Sequence, residues 1–203
     1  MDDLKTEQIK VTSAGAGMEE ALQLTEKFGL ESGLERKENL RLRLLAEELF
    51  GMMRSIVGEV EALYWIEGED QKFDVHMEGE VVLNQDVRKK MIEVSTRHEN
   101  AAAQGFMGKL RDMIGTAMLP EGEGPSMLSL GLMTMGSPSG YMANSGSYSW
   151  SLNKYREELQ AAEDKEAREA ADELEKSIVA SLADEVAVRI EGSQVEIVVT
   201  IAF

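Results

Sequence analysis

The residues of this chain whose types and spacing can do chemistry fall in three places. Glu48 and, four residues on, Met52 lie in the helical stretch Arg43–Ile56. Met77-Glu78-Gly79-Glu80-Val81 begins at the end of the strand-like run Phe73–Met77. The third place is the Gly122-x-Gly124 pair in EGEGPS. Glycine-rich loops cradle phosphates through backbone N–H groups. Here two glutamates interleave with the glycines and no lysine follows, so a flexible turn is the simpler reading. Glu48 sits at the edge of an apolar helix face, where a carboxylate is more often a boundary residue than a catalyst. Met52 and Met77 both continue apolar patterns and read as core residues. His76 and His98 lie far apart without metal-ligand spacing around either. The chain has no cysteine, which removes disulfides, thiolate nucleophiles and zinc–sulfur sites.

These residues must be positioned by a chain of 203 residues, enough for one well-buried domain with an elaborated insertion. The expected organisation is a single domain over 1–203 with the insertion at about 82–149. No apolar run is long enough to span a bilayer, and the acidic start MDDLKTEQIK lacks the layout of a signal peptide. A cytoplasmic protein with no membrane partner is expected. The formal charge of −17 argues against nucleic acid as a partner, because phosphate binding needs a basic patch.

From about residue 8 to 81 the pattern predicts strand, helix, helix, hairpin. Ile9 and Val11 alternate with polar neighbours. A helix is predicted over Met18–Phe28, with Leu22, Leu24 and Phe28 apolar and Gly29 and Gly33 at its end. A second helix starts near Glu35, where Leu42, Leu45, Leu49, Met52 and Ile56 recur at steps of three and four. Arg43 and Glu47 stand on its other face at i,i+4 spacing. Val60, Ala62, Tyr64 and Ile66, then Phe73, Val75 and Met77, predict two strands joined by a turn at Glu67–Asp70. In the insertion, helices are predicted from Asn84 toward Arg97 and over Ala101–Met118. The Gly-, Ser- and Met-rich stretch 119–149 reads as a long loop or lid. A long helical pattern, breaking near Glu163–Lys165, covers about Ser151–Ala183, with Ala171, Leu174, Ile178 and Leu182 apolar at its end. The final hairpin carries Val186, Val188 and Ile190, a Gly192–Ser193 turn, then Val195, Ile197, Val199, Ile201 and Phe203. Trp65 and Trp150 read as packing residues. Helices packed on one face of such a sheet give an α+β two-layer sandwich with a mostly antiparallel sheet.

Two segments carry a resemblance. IKVTSAGAGMEEALQLTEKFGLESGLERKENLRLRLLAEELFGMMRSI resembles the start of the anti-sigma-factor (serine-protein kinase) branch of the histidine-kinase-like (GHKL) ATPases. ELEKSIVASLADEVAVRIEGSQVEIVVTIAF resembles that branch's closing helix and strand pair, including the turn at Leu182–Val186. The resemblance implies the histidine-kinase-like ATPase fold. It aligns Glu48 with the family's carboxylate that orients the attacking water or hydroxyl, and Met52 with the asparagine that holds Mg²⁺. The family's Asp-x-Gly-x-Gly falls on Met77-Glu78-Gly79-Glu80-Val81, where only the first glycine remains. A thioether cannot replace an oxygen ligand on Mg²⁺, and Met77 is a poor acceptor for the adenine amino group.

The leading expectation is therefore a non-catalytic or weakly nucleotide-binding regulatory module that docks a protein partner, such as a regulatory or transcription-related protein. Its expected contact surfaces are the segment 119–149 and the acidic helix after Trp150. Met52, Met77, Gly79, Gly122 and Gly124 mark the nucleotide-pocket positions. No cofactor and no metal are expected. The alternative is an active serine-protein kinase or ATPase that uses ATP and Mg²⁺ with Glu48 as general base. A second alternative is a small-molecule receptor using the altered pocket. The resemblance also allows a homodimer.

Overall fold

A computed structural model describes residues 4–57, 60–80, 140–143, 147–162 and 165–203. The predicted helices of the insertion, together with Gly122 and Gly124, lie outside the described residues. The elements in chain order are β1 (Leu4–Lys5), β2 (Ile9–Thr12), α1 (Met18–Glu31), α2 (Arg36–Val57), β3 (Glu61–Glu69) and β4 (Lys72–Glu80). After the insertion come β5 (Gly140–Ala143), β6 (Ser147–Ser151), α3 (Leu152–Ala161), α4 (Lys165–Lys176), α5 (Ile178–Leu182), β7 (Glu185–Glu191) and β8 (Gln194–Ala202). The eight strands form one sheet in the order β1-β3-β4-β8-β7-β6-β5, with β2 beside β1 on the same edge of β3. Every described pairing is antiparallel.

Register explains which face holds the core. Tyr64, Met77, Ile197 and Val188 stand side by side across β3, β4, β8 and β7, as do Ile66, Val75, Val199 and Val186 one step along. All eight are buried. Alternation with period two sends their neighbours to the other face. Leu22 and Phe28 of α1, Leu42, Leu45, Leu49 and Met52 of α2, Tyr155 of α3, Leu174 of α4 and Val179 of α5 join the first face in one hydrophobic cluster. The result is an α+β arrangement with helices packed against a mostly antiparallel sheet.

Several local expectations need correction. Helix α1 runs through Gly29 to Glu31, and the chain turns at Gly33, which has a φ of +83°. Gly29 is instead a contact point: a Cβ there would lie 2.2 Å from Asn39 Oδ1. Asn39 is buried in α2 and donates from Nδ2 to the Glu26 carbonyl at 2.9 Å, tying the two helices. Arg43 reaches Glu26 of α1 at 3.8 Å, so its ion pair is between helices. The β3–β4 turn is Asp70–Gln71, not Glu67–Asp70. Both residues have positive φ, 47° and 69°, the geometry that matches the twist of a two-residue hairpin. Strand β4 continues past Met77 to Glu80.

The stretch read as a loop or lid also contains strands. Tyr148 and Trp150 alternate with Ser147, Ser149 and Ser151, and β6 pairs with both β5 and β7. The long C-terminal helix is three helices. One interruption follows Ala161, where the predicted break near Glu163–Lys165 lies. A second falls at Ser177, whose hydroxyl caps α5 by accepting from Ala180 N. That break re-phases the apolar stripe, so Ile178 is exposed while Val179 and Ala180 are buried.

Candidate functional site

The long helix α2 and the central strand β4 position the residues singled out above. Met52 continues the stripe of Leu42, Leu45 and Leu49, and that stripe faces the sheet. Met77 sits on β4 between Tyr64 of β3 and Ile197 of β8. Both methionines are almost wholly buried, 3% and 1% exposed, within the same cluster. The space left beside Met77 is about 10 Å³, lined by Val11, Met18, Phe50, Met53 and Ala62 among others. That is about the least volume that can take one water molecule. Neither thioether offers an oxygen to a hard cation, and both side chains are packed within the core.

Gly79 has a packing reason. It stands opposite Ala62 in the β3–β4 ladder and Val195 in the β4–β8 ladder. A Cβ there would lie 2.9 Å from the Glu61 carbonyl oxygen and 3.1 Å from both Ala62 Cβ and Val60 Cγ2. The close approach of β3 requires glycine at this point. Glu48 is half-buried on the flank of α2, and no described side chain is hydrogen-bonded to it.

Tyr64 holds the floor beside Met77. Its hydroxyl is 2.6 Å from Thr25 Oγ1, which also meets the Ala21 carbonyl at 2.7 Å. Complete burial pushes the phenol pKa far up, against the smaller effect of the Thr25 hydrogen bond. Phe50 packs on the same ring with centroids 5.1 Å apart.

A far larger open space adjoins the small one beside Met77, where β2, β3 and β4 end near Arg54. This cleft, about 1150 Å³, is lined by Lys10, Arg54, Glu61, Glu78, Glu80 and the predicted pocket residue Gly79 among others. It shares Thr12, Ser13, Arg54, Val60 and Ala62 with the space beside Met77. Lys10 Nζ already meets Glu61 Oε2 at 2.5 Å. Glu61 and Glu80 stand directly opposite in the β3–β4 ladder. Three carboxylates against two cations make a poor cradle for phosphate, whose charge they would repel.

On the sheet's other face, sequence reading missed a polar cluster. Trp65 stacks on His76 with centroids 4.7 Å apart and planes 8° from parallel. The two ring nitrogens of His76 each lie 3.7 Å from a carboxylate, Glu67 on one side and Glu196 on the other. Glu67 accepts from Lys5 Nζ at 2.7 Å and from the Trp65 indole at 3.0 Å. The Lys5 hydrogen bond is the largest reason that the Glu67 pKa lies below its ordinary value. The signal for this cluster was the strand register, which puts Trp65 opposite His76, and the corrected turn is what fixes that register.

The turn at Leu182–Val186 is a structural junction. Asp184 accepts from Ala202 N at 2.7 Å, and Glu185 accepts from Ser151 Oγ at 2.9 Å and from Asn153 N at 3.2 Å. Arg156 of α3 donates to the carbonyls of Ala180, Ala183 and Asp184, satisfying the C-terminal end of α5. Among the described residues there is no group of His, Asp or Glu arranged to hold a metal ion, and no helix long and apolar enough to cross a membrane. No protein-family model, no curated protein and no solved structure matches this chain.

Proposed function

We propose that this chain is a non-catalytic regulatory module built on the histidine-kinase-like ATPase fold, similar to an anti-sigma factor, that acts by binding a protein partner. The reading rests on one observation above the rest. Met52 and Met77, where the resemblance puts the Mg²⁺ and adenine ligands, are 3% and 1% exposed within a single core, and the space beside Met77 is about 10 Å³. The element order supports the layout that the resemblance implies: strand, two helices, hairpin, insertion, closing helices and hairpin. Gly79 keeps its place for packing, and the junction at Asp184 and Glu185 keeps its place for tying α3, α5 and β8 together.

ATP and Mg²⁺ do not fit residues of this kind, because nucleotide binding there would require an oxygen donor and an adenine-facing carboxylate. A filled core also speaks against an apolar small-molecule pocket between the methionines. The acidic helix α4, exposed at Arg168, Glu169, Asp172 and Glu173, remains one contact surface of the proposal. Isothermal titration with ATP·Mg²⁺ tests it. The expected result is no binding at micromolar concentrations, and a saturable micromolar isotherm would defeat the reading. If such binding came with phosphate release that Glu48→Gln abolishes, the active ATPase or kinase would take its place.

A further inference from the structure

The described helices pack on one face of the sheet, and the other face is ordered in rows. Register sets Trp65, His76, Val198, Ala187 and Ser151 side by side across β3, β4, β8, β7 and β6. Two positions along the strands on one side stand Glu78 and Glu196, directly opposite each other, and on the other side Glu67 and Asp74, again directly opposite. Like charges directly opposite in an antiparallel pair are destabilising. These four side chains face away from the core, so packing does not demand them. The nearby cations give little relief. Lys5, Lys72 and Arg189 pair with Glu67, Asp74 and Glu196, but each is more than half exposed, and such surface pairs are weak. Glu78 has no ion-pair partner among the described residues. Between the two acidic rows the floor carries no carboxylate: Trp65 stacks on His76, Val198 is half-buried and Ala187 is exposed.

We propose, on the reading that the chain acts by binding a protein partner, that this face docks a basic amphipathic helix of that partner along the middle row. The two acidic rows are four residues apart along the strands, or about 14 Å at about 3.4 Å per residue. An α-helix with its side chains is about 10–12 Å across, so it fits between them. From Trp65 to Ser151 the middle row crosses four strand gaps, about 19 Å, which a helix of about 13 residues covers. An apolar stripe on that helix meets Trp65, Val198 and Ala187. Lysine or arginine on its two flanks reaches Glu78 and Glu196 on one side and Glu67 and Asp74 on the other.

Charge selects among the occupants. A neutral or acidic helix would leave both carboxylate pairs facing each other with less water to screen them, which raises their repulsion. A second copy of this chain is such an occupant, since each carries a formal charge of −17 and the same four carboxylates on this face. Cations on both flanks of the docked helix relieve the two pairs at once.

Isothermal titration of the full chain with a synthetic helical peptide of about 14 residues tests the proposal. The probe carries a leucine and alanine stripe with lysines on both sides of it. Saturable binding is expected with a Kd on the order of 10 µM at about 0.15 M salt. A peptide of the same composition in shuffled order, without the stripe, should bind at least about tenfold more weakly. Glu78→Lys and Ala187→Lys change outward-facing side chains, should stay folded by circular dichroism, and should each weaken binding about fivefold. Glu173→Lys on α4 should leave the affinity within about twofold. Backbone NMR shifts on binding should gather on β3, β4, β7 and β8. No saturation by about 1 mM peptide would overturn the proposal, as would equal binding of the shuffled peptide or unchanged affinity in both face variants. Shifts gathered on α4 would overturn it too while leaving the partner-binding reading in place, which the ATP·Mg²⁺ titration tests separately.

Discussion

Replacing Met77 with alanine measures how far the core has closed over the position. The side chain is 1% exposed and stands between Tyr64 and Ile197 on the inner face of the sheet. The substitution removes three heavy atoms, worth about 0.8 kcal/mol each in lost burial, or roughly 2.4 kcal/mol. The void beside Met77 is already as small as about 10 Å³, and the flanking strands are held by hydrogen bonds on both sides. Collapse into the new space is therefore incomplete, and the total should approach 3–4 kcal/mol, inside the range of roughly 2–5 kcal/mol for buried Met→Ala. For a chain of this size that corresponds to about 6–16 °C in Tm. Equilibrium urea unfolding gives the free energy, with an unchanged slope showing that compactness is preserved. Met77→Leu, which conserves volume, should cost less than about 1.5 kcal/mol. A loss below about 1 kcal/mol for Met77→Ala would refute the reasoning, since it would mean that the thioether borders open space.

Two other changes test neighbouring parts of the account. Gly79→Ala puts a methyl group 2.9 Å from the Glu61 carbonyl, so it should destabilise by about 1–3 kcal/mol in the same urea assay. Glu67 titrates below its ordinary value in the folded state, chiefly through the Lys5 hydrogen bond, so its contribution is present above about pH 4.5 and is lost as pH falls through the folded pKa. Lys5→Met should remove part of that acid-side loss, with an effect within about 1 kcal/mol because both groups are partly solvated. Urea unfolding at steps from pH 6 to pH 3 reads the difference between the two proteins.

The elements that sequence reading found best are those with the longest unbroken period. The seam from Leu42 to Met52 and the alternation from Val186 to Phe203 needed no outside information, because burial of one face imposes both patterns. Boundaries failed where a residue serves packing instead of termination. Gly29 looks like a helix stop but is the point where α1 passes Asn39. Asp70–Gln71 lacks the glycine that marks a two-residue turn, so the acidic glycine-containing segment before it attracted the assignment. Ser177 breaks a helix without glycine or proline, and only its cap to Ala180 shows the reason. The strands at Gly140–Ala143 and Ser147–Ser151 were hidden because serine and glycine carry little β signal, although Tyr148 and Trp150 do alternate.

The candidate site was legible in the types of its residues and less so in its shape. Two methionines inside apolar stripes already pointed to a core. What the pattern could not give was the remaining volume, which depends on Val11 of β2, Phe50 and Met53 of α2 and Ala62 of β3 arriving from three different elements. Nor could it place His76 between Glu67 and Glu196, since those contacts join β3, β4 and β8 across the sheet.

The central claim, that the position of a nucleotide site is filled by its own methionines, is tested most directly at those side chains. Methyl-labelled methionine gives one NMR signal from Met52 and one from Met77, assigned by Met52→Leu and Met77→Leu. With ATP·Mg²⁺ added to millimolar concentration, both signals should stay where they are. Saturable shifts of either signal with a micromolar midpoint would contradict the account.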